Sequence, residues 1–392
     1  MNVSTLTVFV VAASVSGCGA FRRIPLASDP MSSRVDRRQA EVKVFDVEWW
    51  TPLVKGTLLE IYPIEAASPA VDEVSGRIVV CTRDGFVRAL NPTTGKVDWS
   101  FATAGRFFAG ATVADGVVYV SGGDGVLYAL DAADGALKWS YSAGEELVTA
   151  PVVASGKVLV HSQNDTLFAI DASTGKWAWQ YKRDVPSGFT VRGAARPTVD
   201  GARVFSGFAD GTLVCVALSD GVMMWEQVLT KSGGLQFLDV DSSPVLNGSG
   251  LVFAASFKDG VYALNATTGI PVWRSAQVGV NNLILRGEVL YASGNGDVTA
   301  LRSLDGKSLW TQGLSGANAK TPTAGRPPTL TESMIVAPTS VALAFINSAD
   351  GRGKAVWNPG RGVTATPTRV GNHLYVLSNH GTVYAIRLAG GG

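Results

Sequence analysis

Asp124–Trp139 reads DGVLYALDAADGALKW. Two Asp-Gly pairs bracket a short apolar run, and a Trp stands four residues after the second pair. Asp-Gly between apolar runs is a strong hairpin signal, because both central residues of the tight turn need positive φ. The stretch therefore predicts turn, strand, turn, strand, ending on a large aromatic side chain.

The same pattern runs through most of the chain. Trp99, Trp139, Trp179, Trp225, Trp273, Trp310 and Trp357 recur at intervals of 37 to 48 residues. A Gly-containing pair precedes each: Thr94-Gly95, Asp134-Gly135, Thr174-Gly175, Asp220-Gly221, Thr268-Gly269 and Asp305-Gly306, then Asp350-Gly351 at a slightly longer distance. A second turn lies upstream in most copies, as Asp84-Gly85, Asp124-Gly125, Asn164-Asp165, Asp210-Gly211, Asp259-Gly260 and Asn295-Gly296. Two further short runs come before it, so each copy holds four strands, A to D. Four strands at a period of about 43 residues predict a β-propeller. Runs such as VVYV (117–120) and LVFAAS (251–256) are apolar on both faces, as blades covered on both sides require. The Trp is expected to fill the wedge between blades, with a partner for its N–H.

After Trp357 the chain has strands A to C of one more unit and no D strand. An orphan strand, KVFDVEWW (43–50), lies before the first copy. Placing it as the missing outer strand closes an eight-bladed, all-β propeller of four-stranded antiparallel blades and removes an open edge. A seven-bladed ring with a discarded terminal hairpin is the alternative.

The bulk composition suits a large globular core: 392 residues, 46% hydrophobic, 17% charged. A net charge of +1 gives no reason to expect nucleic acid. Cys18, Cys81 and Cys215 match no zinc or CxxC spacing, and His161, His373 and His380 are isolated in sequence. No metal, no cofactor and no catalytic residue is expected. Cys81 and Cys215 fall in runs of blades one and four, too far apart to bridge, so buried free thiols are expected.

Residues 6–16, LTVFVVAASVS, are too short to span a bilayer and suit a signal-peptide core. Val15-Ser16-Gly17-Cys18 resembles a bacterial lipobox, although residues 2–10 carry no Lys or Arg. An ordinary signal peptide with an incidental Cys is the bland alternative. The expected organisation is a lipoprotein signal peptide over 1–17, lipidated Cys18 and a flexible tether over 18–41, and the propeller over 42–392. Gly19, where Asp would signal inner-membrane retention, favours an outer-membrane location.

The Asp/Thr-Gly-x3-Trp ending resembles the PQQ-type repeat, shared by quinoprotein dehydrogenases and by the BamB family of the outer-membrane β-barrel assembly (Bam) machinery. Two long connections are similar to BamB segments. From Trp179 to Pro197 there are 18 residues, and from Trp225 to Pro244 there are 19, against 12 from Trp139 to Pro151. The first holds Phe189-Thr190-Val191-Arg192-Gly193, and the second Asp239-Val240-Asp241-Ser242-Ser243-Pro244. The resemblance implies a non-enzymatic scaffold at the periplasmic face of the outer membrane. It would bind the periplasmic POTRA domains of BamA through Phe189, Val191, Arg192, Asp239 and Asp241, and assist insertion of outer-membrane proteins. Apolar anchors beside Arg and Asp fit a hot-spot pattern, whereas a mutual Asp–Arg surface pair is the bland reading. The quinoprotein alternative would need a quinone, Ca²⁺, a catalytic Asp and often a vicinal disulfide, and the chain has no adjacent cysteines.

Overall fold

A computed structural model describes residues 44–54, 64–184, 194–230, 239–294, 296–314 and 326–389. Among them, 32 strands form eight four-stranded antiparallel sheets, and no helix occurs. Seven sheets take consecutive strands A to D, as in blade 2: Thr112–Ala114, Val117–Ser121, Val126–Asp131 and Leu137–Ser142. The eighth joins Thr368–Val370, His373–Leu377 and Thr382–Leu388 to the N-terminal strand Phe45–Pro52 on its outer side. The orphan strand therefore closes the ring in the predicted place.

Every blade but the seventh carries the same cross-strand row. The Trp of strand D sits opposite a small residue of strand C: Ala89, Ala129, Ala169, Cys215, Ala263 and Ala300 in blades 1 to 6, and Ala385 opposite Trp49 in blade 8. The small residue leaves room for the indole to reach an aromatic on strand B. Tyr119–Trp139, Phe205–Trp225, Phe253–Trp273 and Tyr291–Trp310 lie 5.7 to 6.0 Å apart. Cys215 thus does the work of an alanine. It is a free, buried thiol, and burial pushes it up to about 11. Cys81 is likewise free and buried.

The same Trp also locks the next blade. The Trp179 Nε1–H donates to Leu218 O at 2.9 Å, and the indole lies under Gly221, three residues further on. A Cβ on Gly221 would meet the ring at 2.6 Å, and φ there is +74°. Trp49, Trp99, Trp139, Trp225 and Trp273 repeat the arrangement, donating to the carbonyls of Pro92, Ala132, Ala172, Ala266 and Ser303 at 2.8 to 3.2 Å. The repeated Gly is therefore both a turn residue and the flat surface on which the preceding blade's indole rests. A second set of links lies at the inner strands. Thr112 donates to Pro151 O and Thr198 to Pro244 O, both at 2.6 Å, and Thr368 of blade 8 donates to Pro69 O of blade 1.

Blade 7 corrects one expectation. Trp357 does not occupy the repeat's Trp position; Ala355 does, paired with Phe345, while Trp357 is opposite Leu343. The reason lies in blade 8. Its outer strand comes from the other end of the chain, so no turn connects its strands C and D, and there is no turn glycine for an indole to rest on. Phe45 fills the space instead, stacked on Phe345 at 5.1 Å and 5.2 Å from Trp357.

Candidate functional site

The turns between strands B and C and the connections from D to the next A share one end of the ring. At blades 3 to 5 they interlock. Arg183, just after strand D of blade 3 (Trp177–Lys182), donates its N–H to Asp165 O at 3.1 Å. The Val240 N–H donates to Phe208 O at 3.2 Å, and the Phe257 N–H to Asp239 O at 3.3 Å. Val240 is fully buried against the blade 4–5 core. Gly207 makes this possible, since a Cβ there would meet Val240 O at 2.0 Å. Ser242 fixes the segment's other end, accepting from the Ala255 N–H at 2.8 Å.

Phe189, Val191 and Arg192 lie outside the described residues, as do the rest of 185–193 and 231–238. The described residues that flank the two stretches belong to this interlocked face. Asp239 and Asp241 flank the buried Val240 but differ in access: Asp239 is 1% exposed, whereas Asp241 is half-buried. Of the pair, Asp241 is the residue that keeps some solvent access, with its carboxyl turned mostly inward.

A third carboxylate escaped the sequence reading. Asp165 is buried in the B–C turn of blade 3 with φ +55°, where blades 1, 2, 4, 5, 6 and 8 place a glycine. The left-handed conformation costs a non-glycine residue on the order of 1 kcal/mol, least for Asn and Asp. Its Oδ2 accepts from the Ala209 N–H at 3.0 Å. Burial, opposed by that hydrogen bond and reinforced by Asp210 and Asp239, raises its carboxyl to about 7. Burial together with Asp239 and Asp165 raises Asp241 to about 8. Arg183 pairs with Asp210 and Glu226, at 2.6 Å to each, and offsets the rise at Asp165 only in part. His161, at the end of strand B, replaces the small residue that blade 2 has there, Ser121. It is fully buried, edge-on to Phe208 at 5.0 Å, with Nδ1 3.2 Å from Ala195 O. Burial lowers it to about 4, so it is neutral at pH 7. The only sequence signal for the cluster was the missing glycine in Asn164-Asp165. Among the described residues, no group of three or more His, Cys, Asp or Glu is arranged to hold a metal ion.

These shifts predict an acid-displaced stability optimum. A carboxyl whose folded pKa is raised stabilises fully below its unfolded value near 4, and that stability is lost as pH rises toward the folded value. Asp165, Asp241 and Glu65, which burial raises to about 7, all act in this sense. His161, depressed by burial, acts oppositely and loses stability as pH falls from about 6.5 to 4. Three groups of the first kind outweigh one of the second, so the thermal midpoint should fall as pH rises from about 5 to 8. Asp165→Asn should flatten the alkaline limb, and a flat wild-type profile from pH 5.5 to 8 would contradict the assignment.

At the centre of the ring, Arg326 precedes strand A of blade 7 and donates to Phe108 O, before strand A of blade 2, at 2.6 Å. The side chain thus reaches across the funnel mouth.

A family model described as outer membrane protein assembly factor BamB matches residues 83–312 and 259–392. The chain is 35% identical to the BamB assembly factor of Legionella pneumophila (strain Paris) over 383 residues, 96% of this chain and 97% of that one. It is 30% identical to that of Escherichia coli K12 over 209 residues, 52% of each. Among solved structures, BamB from Moraxella catarrhalis superposes with a TM-score of 0.74 at 22% identity, over 88% of this chain and all of that one. A europium-containing methanol dehydrogenase superposes with a TM-score of 0.72 at 13% identity, over 88% and 93%. At such identities both likenesses show the fold alone.

Proposed function

The chain belongs to the BamB family of outer membrane protein assembly factors, and from that premise we propose that it is a non-enzymatic scaffold lipoprotein of the Bam machinery. In this reading, Cys18 carries the lipid that holds it to the periplasmic face of the outer membrane. The connections of blades 3 to 5 dock the periplasmic POTRA domains of BamA, and the ring serves as a rigid platform from which folding outer-membrane proteins are handled.

The observation that carries the reading is the end-to-end match to an assembly factor, from near the first residue to near the last. The face at blades 3 to 5 supports it as the docking surface. Two long connections are rooted there, and the end of the second is pinned by Val240 and Ser242. A pinned residue such as Asp241 meets a partner with little further loss of conformational freedom.

Co-purification with the periplasmic domains of the cognate BamA tests it. Arg192→Glu and Asp241→Arg should each weaken binding at least tenfold, about 1.4 kcal/mol or more, with unchanged circular dichroism. Folded variants that bind as well as the wild type would remove the interface from blades 3 to 5. Asp239→Arg is a poor choice here, because it buries a charge in the blade junction.

A further inference from the structure

We propose that the outer strand of blade 4, Met223–Val228, is an interface between two copies of this chain, which pair antiparallel, edge to edge, about a two-fold axis. The inference is independent of the BamA docking reading and uses the rim of the ring rather than the interlocked face.

Every outer strand is the edge of its sheet. An open edge offers unpaired N–H and C=O groups to any other strand, and a charge or a proline on the edge discourages such pairing. The three residues between the turn glycine and the Trp position hold such a guard in blades 1, 2, 3, 5, 6 and 7: Lys96, Lys138, Lys176, Pro271, Lys307 and Lys354. Glu48 stands beside Trp49 in blade 8. Blade 4 has no guard. Its three residues are Val222, Met223 and Met224, which are 62%, 47% and 55% exposed. The one charge of the strand, Glu226, is held by Arg183 of blade 3 at 2.6 Å. This edge therefore presents no unpaired charge to an approaching strand. The Met223 sulfur accepts from the Tyr181 O–H at 3.6 Å. At the far end the Gln227 Nε2–H donates to Val228 O at 2.9 Å and closes that carbonyl, which leaves residues 223–226 as the open stretch.

The apolar surface continues onto blade 5. The Trp225 indole lies against Gly269, so Ile270 and Val272, 63% and 57% exposed, extend the patch across the blade boundary. Val228, 54% exposed, extends it along the strand. At these exposures the six side chains offer on the order of 600 Å² of apolar area per copy, the upper end for the largest patch of a lone monomer. Two such patches, about 1,200 Å² together, reach the size of a specific interface. Antiparallel pairing places the same residues on both sides of a two-fold axis, so a single unguarded edge is its own complement. That axis is perpendicular to the joined sheet, and both copies then present blade 5 on the same side of it. A lone extended peptide would cover the strand and leave Ile270 and Val272 in water, whereas a second ring brings its own blade 5 toward them.

Sedimentation of the full chain, with Cys18→Ser so that no lipid is attached, tests the pairing. A monomer–dimer equilibrium with a Kd on the order of 1–10 µM is expected. Val222→Lys and Met224→Lys restore the guard of the other blades at exposed positions. Each should weaken the dimer at least tenfold with unchanged circular dichroism. Leu137→Lys puts the same charge on the exposed edge of blade 2 and should leave the dimer intact. Hydrogen exchange at low and high protein concentration should show amides within 223–226 gaining protection in the dimer. A chain that stays monomeric at about 200 µM would overturn the proposal. So would a dimer indifferent to Met224→Lys, which would lie on another surface, and so would open-ended association in place of a closed pair. A monomer whose blade 4 edge takes up an extended apolar peptide would give the edge to that occupant and overturn the pairing with a second copy.

Discussion

A chain beginning after Pro52 is expected to associate into soluble aggregates and to lose its single cooperative unfolding transition. Strand Phe45–Pro52 pairs along its length with Thr382–Leu388, so its removal leaves a seven-residue edge unpaired. Unpaired edges template intermolecular pairing. The loss is not confined to hydrogen bonds. Trp49 would no longer donate to Pro92 O or lie under Gly95, and Phe45 would leave the stack with Phe345. Glu48, which meets both His373 and Arg387 at 3.1 Å, would go as well. Blade 8 would then contact blade 1 only through its strands A to C. Size-exclusion chromatography with light scattering reads the association, and a synthetic peptide spanning 44–54 should reverse it. A monomeric truncated protein with an unchanged thermal midpoint would show that the N-terminal strand is dispensable.

The second large effect is expected at the lock between blades 3 and 4. Trp179→Ala removes an indole that is 4% exposed and orphans the Leu218 carbonyl. Truncating a buried aromatic costs about 3–5 kcal/mol. For a domain of this size that lowers the thermal midpoint by roughly 4–7 °C. Gly221→Ala attacks the same contact from the other blade, forcing a side chain onto φ +74° and its Cβ into the indole. It should cost about 2–4 kcal/mol, from backbone strain and overpacking together. The double variant should cost less than the sum, because the Ala cavity admits the new methyl group. Strict additivity would mean that the two residues do not form one contact. Lys176→Ala, at an exposed position of the adjacent strand's turn, should change the midpoint by less than about 1 °C.

Not all of this was legible beforehand, and the division follows the range of the forces involved. The turn glycines, the strand runs and the wedge Trp are set within some sixteen residues, as in Asp124–Trp139. Local chemistry repeated at a steady spacing reveals the blade. Counting copies reveals the ring and its closure by Trp49. Trp357 misled because its role depends on a residue of the next blade. A Trp is needed where a C–D turn follows, and blade 8 has none. The displacement of Trp357 by two residues made sense only once the N-terminal strand was in place.

The candidate site divides in the same way. The two long connections stood out as stretched spacing, and Asp239 and Asp241 came with them. That Val240 is the buried pin, that Asp239 is covered while Asp241 keeps some solvent access, and that Asp165 and His161 border the same junction could not be read from the chain. Their positions are 74 and 78 residues before Asp239 and follow from the curvature of the ring. By itself the sequence determined the blade, the number of blades and the strand that closes them, because tight turns and large aromatics impose their geometry over a few residues. Only the tertiary structure decided which acidic groups share a junction and which of them meets solvent. Burial and mutual repulsion are properties of neighbours in space, and here those neighbours come from three different blades.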